Sequence, residues 1–313
     1  MSDNAGRAIK DRVRNYFEDT TRDYLKWYGT RRHHHMHYGF DRDLPPGGSP
    51  TSNMTRYLAT LAGLFPADPS RPAPKVFDAG CGMGGSSILL ARETGAQCFG
   101  ANLVEMHARI AQAFAVRDAA KWGTPNESAP GAPAVPAGLR RVSARFLAND
   151  YTTPAFKPAS FDVIWALESF CYAPDKEAWI HTMAPLLKPG GRLVLADGCS
   201  GRPPANRAEA RAFELFLKGW AVPHFCSFDQ IQKWARSAGL EVTHAEDITP
   251  DVLPHAWKIF RLGPIILPWR KMLHALGLVN EEKLLNAYAI YHQYPTLKRG
   301  LWRYGAFCFR KPG

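Results

Sequence analysis

Val76-Phe77-Asp78-Ala79-Gly80-Cys81-Gly82-Met83-Gly84-Gly85 decides how this chain folds. The stretch reads as a strand that runs into a glycine turn and then a helix. Glycines at such a turn let the backbone pass close to a ligand, where a Cβ would clash. As a bare pattern, Gly80-x-Gly82-x-x-Gly85 also fits a nicotinamide or flavin dinucleotide site. Asp78 separates the two cases. A carboxylate two residues before the turn repels a pyrophosphate and suits a ligand that carries positive charge.

On either side of this stretch the pattern alternates. Strands are expected over 75–79, 96–101, 142–147, 160–166 and 191–197, with helices over 85–94, 104–121 and 175–187 between them. That alternation builds a parallel sheet. The proline-, alanine- and glycine-rich residues 123–138 read as a surface loop inside the domain. Upstream, residues 7–30 predict an amphipathic helix with Tyr16, Phe17, Tyr24, Trp27 and Tyr28. A polar turn follows and ends in Leu44-Pro45-Pro46-Gly47-Gly48-Ser49-Pro50, and a second helix starts at Thr51 or Ser52. Residues 1–65 thus form a helical cover and 66–313 the main domain. Past Asp197 the expectation is a partly helical insertion over 200–226, a helix capped by Ser227, and a strand over 240–247. A proline-interrupted helical segment over 250–298 and a terminal strand over 301–309 complete the chain.

Bulk composition bounds the function. At 313 residues with 46% hydrophobic residues the chain buries a sizeable core. No apolar run approaches the ~18–20 residues of a membrane span, and Met1–Arg7 lacks the apolar segment of a secretion signal. Cysteines at 81, 98, 171, 199, 226 and 308 are scattered without a CxxC pair, so free thiols in a reducing cytoplasm are expected. A net charge of +11 favours anionic partners, from phosphate-bearing substrates to acidic lipid, or serves only solubility. Arg31-Arg32, Arg140-Arg141 and Lys298-Arg299 are short clusters, and no segment reads as a nucleic-acid-binding module. Stable membrane insertion is not expected.

Four separated motifs occur in order: Phe77 to Gly85, Asn149-Asp150, Phe161-Asp162-Val163-Ile164, and Leu187-Lys188-Pro189-Gly190-Gly191-Arg192-Leu193. Over about residues 75–200 the chain resembles the class I S-adenosylmethionine-dependent methyltransferases. The donor of that family carries an ammonium and a sulfonium, the charge that Asp78 suits. The resemblance implies an α/β, Rossmann-like fold with a seven-stranded, mostly parallel sheet whose last strand is antiparallel. His35-Met36-His37-Tyr38-Gly39-Phe40, Trp165-Ala166-Leu167-Glu168-Ser169 and Ala173-Pro174-Asp175-Lys176 narrow it. They look like the branch that holds tocopherol, sterol and prenyl-diphosphate C-methyltransferases and the cyclopropane synthases. It further implies that Asp78, Gly80, Cys81, Gly82 and Leu167 contact the cofactor and that Asp150, beside Asn149, accepts from the adenine amino group. Asn102 stands where most relatives place an acid for the ribose, and His107 where some have glutamine; both can hydrogen-bond hydroxyls. Relatives often associate, so a homo-oligomer is expected.

Glu168 directly follows the apolar strand Val163-Ile164-Trp165-Ala166-Leu167, at the carboxyl edge of the sheet where ligands bind. Apolar neighbours suit it to accept a proton; the alternative is a helix-capping or structural glutamate. Tyr24, Tyr28, His35, Tyr38, Trp165, Phe170 and Tyr172 are the candidate lining of the acceptor pocket, with packing as the alternative for the aromatics. The run His33-His34-His35-Met36-His37 reads as a polar lid, since three adjacent histidines cannot all reach one metal ion. The expected reaction is C-methylation of an isoprenoid, through a carbocation quenched by Glu168. The acceptor is a prenyl diphosphate such as geranyl or farnesyl diphosphate, or a prenyl chain on a secondary metabolite. Mg2+ enters only as a bridge to such a diphosphate. The alternatives are O- or N-methylation of a small aromatic, with His33, His34, His35, His37 or His181 as base, and an RNA-associated cofactor-binding scaffold.

Overall fold

The computed structural model describes residues 3–27, 34–65, 70, 72–122 and 143–313. The strands are β1 (Lys75–Ala79), β2 (Gln97–Asn102), β3 (Ser143–Ala148), β4 (Phe161–Leu167), β5 (Leu187–Ser200), β6 (Glu241–Asp247) and β7 (Trp302–Arg310). They form one sheet in the order β3-β2-β1-β4-β5-β7-β6. Neighbours from β3 to β5 are parallel, and β7 runs antiparallel between β5 and β6. This is the seven-stranded α/β sheet that the sequence implies. Its order reverses between β1 and β4, which leaves a crevice at their carboxyl ends.

Period-two alternation sorts the core. Val76, Val163, Trp165, Val194, Tyr304 and Ala306 are buried on one face of the sheet. Phe77, Ala79, Ile164, Ala166, Leu195 and Phe307 are buried on the other. With both faces covered, the strands read as near-continuous apolar runs, as parallel sheets require. One strand starts earlier than its sequence suggests. Leu187 already pairs with Phe161, and the Pro189-Gly190-Gly191 turn lies inside β5 as a bulge, with Gly190 at φ +76°.

Helices α1 (Asp3–Trp27) and α2 (Pro50–Leu61) form the N-terminal cover. Between the strands lie α3 (Gly85–Thr94), α4 (Glu105–Trp122) and α5 (Lys176–Met183). The segment expected as an insertion holds α6 (Arg207–Gly219), and α7 (Phe228–Ser237) follows with a Ser227–Gln230 capping box. Beyond β6 the proline-rich region divides into α8 (Thr249–Phe260), α9 (Gly263–Ala275) and α10 (Glu281–Lys298). Pro250 and Pro264 sit in the first turns of α8 and α9, where a missing N–H costs nothing.

A buried ion pair ties α2 to the far end of α3. The Glu93 carboxylate on α3 is 1% exposed and receives Arg56 Nε and Nη2 from α2, both at 2.8 Å. Arg92 adds a third contact at 3.2 Å. Removing one partner of such a pair strands the other, so Glu93→Ala is expected to cost about 3–5 kcal/mol, read as a fall in urea midpoint at constant slope.

Candidate active site

The β1–α3 connection turns tightly through Gly80, Gly82 and Gly84, at φ +90°, +52° and +84°. A Cβ at Gly80 would lie 2.3 Å from Ser169 Cβ, so the position takes only glycine. The N–H groups of Gly80 and Cys81 both donate to Ala101 O on β2, at 3.0 and 3.1 Å. Gly85 and Ser86, the first residues of α3, are buried but border the crevice, where a helix N-terminus favours negative charge. Beneath it lies Asp78, buried, with one oxygen accepting from Ser87 Oγ at 2.6 Å. Burial pushes its carboxyl up to about 7 against the opposing effect of that hydroxyl.

Across the crevice stands Glu168, the residue after β4. Its φ of +52° is left-handed, an unfavourable setting for a side chain. The strain turns the carboxylate into the cavity, while its N–H still donates to Ala196 O at 2.9 Å. Glu168 Oε1 accepts from Tyr38 N and from the Tyr304 hydroxyl, both at 2.6 Å. Among the described residues Oε2 accepts no hydrogen bond. Burial is the main cause that raises this carboxyl to about 8; Tyr304 and Tyr38 lower it, and Asp197 adds to the rise. Tyr38 is itself fixed. Its hydroxyl donates to Gln293 Oε1 at 2.6 Å, and Gln293 Nε2 donates to Ala256 O at 2.8 Å.

One cleft of about 1190 Å3, open mouth included, joins these two carboxylates. Of the residues singled out in the sequence, its wall holds Asp78, Gly80, Cys81, Gly82, Asn102, His107, Leu167, Glu168, Tyr24, His35, Tyr38 and Tyr172. No Lys or Arg lines it among the described residues. Three of its histidines are held neutral: burial lowers His37, His107 and His255 to about 4. His37 Nδ1 gives its hydrogen to Tyr38 O at 2.8 Å, so its Nε2 accepts from His35 Nδ1 at 3.1 Å. Among the described residues the cationic excess thus lies outside the cleft.

The remaining candidates divide. Asn102 is partly committed, with Nδ2 donating to Gly82 O and Oδ1 accepting from Val104 N. His107 Nε2 meets Thr21 Oγ1 of α1 at 2.8 Å. Since Thr21 gives its own hydrogen to Phe17 O, the histidine donates here and Nδ1 stays an acceptor. Asn149 and Asp150 do not reach the main cleft. They line a shallow groove next to it with Arg7, Lys10 and Arg14, and Leu103 borders both. Lys10 Nζ sits 2.6 Å from Asp150 Oδ2, while Oδ1 caps Thr152.

Two aromatic expectations need correction. Trp165 points the same way as Leu167 but two residues below the sheet edge, so its ring is sealed in the core beneath the cleft floor. Phe170 falls on the opposite face and packs edge-on against Trp179 at 5.3 Å. His181 is likewise no candidate base, being exposed on α5 and bonded to Ser237. Tyr28, His33 and the loop expected over 123–138 lie outside the described residues.

The cleft also recruits residues that were not singled out. Phe17 of α1, Trp220 after α6, and His255 and Ile259 of α8 complete its wall, and Tyr304 on β7 anchors Glu168. His255 and Ile259 are four apart in a helical stretch, so their common face was readable; nothing local marked Tyr304.

A family model described as a methyltransferase domain matches residues 51–245, more than half of the chain. The chain belongs to this methyltransferase family. It is 24% identical to chloroplastic tocopherol O-methyltransferase of Arabidopsis thaliana, over 97% of this chain and 83% of that one. It is 28% identical to 2-methyl-6-phytyl-1,4-hydroquinone methyltransferase of a Synechocystis species, over 80% of this chain and 73% of the other. In fold it is similar to geranyl diphosphate C-methyltransferase from Streptomyces coelicolor A3(2), with a TM-score of 0.63, 19% identity and 97% of each chain covered. The chain is an S-adenosylmethionine-dependent methyltransferase, and no described helix is long and apolar enough to cross a membrane.

A cation received beside Asp78 binds the ionised carboxylate. Because that carboxyl titrates near 7 in the free protein, affinity for S-adenosylhomocysteine, which keeps the ammonium, is expected to be flat above that pH. Below it, affinity is expected to fall toward tenfold per pH unit. Calorimetric titrations across the range check the slope, and Asp78→Asn is expected to flatten it.

Proposed function

We propose that this methyltransferase methylates carbon on an uncharged, prenyl-bearing acceptor, and that Glu168 takes the proton. In this reading Asp78 faces the ammonium of the cofactor, the N-terminus of α3 faces its carboxylate, and Asn102 and His107 Nδ1 meet the ribose hydroxyls. Asp150 receives the adenine amino group only once the cofactor competes with Lys10. The fit rests on the glycine turn and on two carboxylates that face no Lys or Arg among the described residues. The cofactor supplies a methyl group on a positive sulfur.

The observation that carries the C-methylation reading is Glu168 itself. One oxygen is fixed by Tyr38 and Tyr304, and the other is free in a cavity walled by Phe17, Tyr24, Tyr38, Tyr172 and Trp220. Attack of an alkene on the methyl group forms a C–C bond and breaks the C–S bond, whose electron pair stays on sulfur. The carbocation left on the acceptor is stabilised by aromatic faces at ~0.5–2 kcal/mol each. Loss of a neighbouring proton to Glu168 restores the double bond. Alignment of acceptor and donor contributes roughly 7–11 kcal/mol more. A diphosphate acceptor, bridged by Mg2+ or not, fits this lining less well than a neutral prenyl chain, because its charge would meet two carboxylates and neutral imidazoles.

One observation favours O-methylation as a second reading. Among the described residues His255 Nδ1, buried on the cleft side of α8, has no hydrogen-bond partner, and a hydroxyl acceptor would supply one. Variants separate the two. Glu168→Gln retains an oxygen for Tyr38 and Tyr304, so S-adenosylhomocysteine affinity is expected to hold. Its turnover of a neutral prenylated hydroquinone with methyl-labelled cofactor is expected to fall at least about 100-fold, with the label on carbon. Wild-type turnover by Glu168→Gln, together with loss of methyl-ether formation in His255→Ala, would overturn the first reading in favour of the second.

A further inference from the structure

Residues 252–280, which span most of α8 and all of α9, contain no Asp or Glu. Lys258, Arg261, Arg270 and Lys271 fall within the same stretch. Along α9 and the residues that cap it at either end, Leu262, Ile265, Trp269, Met272 and Leu276 recur at helical spacing, and all are exposed. Ile265 is 72% exposed, Trp269 59% and Leu276 64%, with Trp257 and Leu278 extending the patch at either end. At 100° per residue the five positions fall within a quarter of the helix circumference. The opposite side of α9 is the packed one: Gly263 and Leu267 are buried, and Arg270 pairs with Asp23 of α1 at 2.7 Å. A continuous apolar stripe of this kind on a folded surface marks an interaction site.

We propose that this face of α8–α9 is an interfacial docking surface for an anionic lipid bilayer. Large apolar side chains on one arc, with Arg261 at its margin and the exposed Lys271 further round the helix over Tyr288, describe a helix lying in the plane of a membrane surface. Charge selects this occupant over a second copy of the chain. Lys258 is offset by Asp41 at 3.9 Å and Arg270 by Asp23, but two apposed copies would bring Arg261 of each toward the other with no acid in the stretch to offset it, whereas acidic headgroups supply that offset. Glu281 and Glu282 open α10 beyond the patch; Glu281 faces Lys218 at 3.6 Å and Glu282 is half-buried. The inner side of α8 gives His255 and Ile259 to the cleft, so docking sets the acceptor cavity against the bilayer. Delivery of an apolar acceptor from lipid rests on the proposed function; docking does not.

Co-sedimentation of the full chain with vesicles tests the proposal. Vesicles of phosphatidylcholine mixed with phosphatidylglycerol are expected to pull the protein down, progressively less as salt rises, and phosphatidylcholine alone is expected to retain little. A Trp269→Glu/Leu276→Glu double variant, with unchanged thermal midpoint and S-adenosylhomocysteine affinity, is expected to bind at least about tenfold more weakly. Arg261→Gln/Lys271→Gln is expected to lose the preference for anionic vesicles. Absence of sedimentation, equal sedimentation of the glutamate variant, or equal binding to neutral vesicles would each overturn the proposal. So would a dimer in analytical ultracentrifugation that the glutamate variant dissolves, if vesicles fail to bind. Methyl transfer to a water-soluble acceptor, assayed in parallel, is independent of this outcome.

Discussion

Two buried carboxylates face a cleft whose described walls supply no Lys or Arg, and the site is organised around that imbalance. Burial makes the ionised forms of Asp78 and Glu168 costly, which is why both titrate well above ordinary carboxyls. Partial compensation comes from hydroxyls and a backbone N–H, aimed at Asp78 by Ser87 and at Glu168 by Tyr304 and Tyr38. The remainder is left for a ligand. A donor bearing ammonium and sulfonium meets that demand, and a pyrophosphate would worsen it.

The N-terminal cover acts on the same electrostatics from the other side. Helix α1 holds Thr21 on His107 in the first turn of α4 and Lys10 on Asp150 just past β3. The segment after it brings Tyr38 N to Glu168, and Arg56 on α2 locks onto Glu93 of α3. Cover and sheet are thus joined by polar contacts between residues far apart in sequence. The cleft is lined with aromatic rings from both, so apolar walls and polar anchors come from the same elements. That combination holds one oxygen of the Glu168 carboxylate against Tyr38 and Tyr304 and leaves the other side of the group facing the cleft.

Much of this was readable from residue patterns. Glycines that need positive φ mark the β1 turn, and apolar runs mark the strands within a residue or two, except β5, which runs from Leu187 to Ser200 rather than over 191–197. Glu168 follows from its place at the end of an apolar strand. Trp165 and Phe170 were misplaced for a stated reason: proximity in sequence to Glu168 does not say which side of the sheet, or what depth, a side chain occupies. Lys10 on Asp150 and Tyr304 on Glu168 are separated by 140 and 136 residues, and no local signal announces such pairs. The exposed stripe on α9 was hidden differently. Its composition reads as ordinary core helix, and only the fold reveals that the apolar arc faces outward.

Proton counting tests the charge account most directly. Calorimetric titration of S-adenosylmethionine near pH 7, in buffers of different ionisation enthalpy, reports the protons released on binding. The account predicts a net release of roughly one proton as Asp78 and Glu168 ionise beside the incoming cation, and a smaller release for S-adenosylhomocysteine, which lacks the sulfonium. Binding without proton release, or equal uptake of NADH, would contradict it.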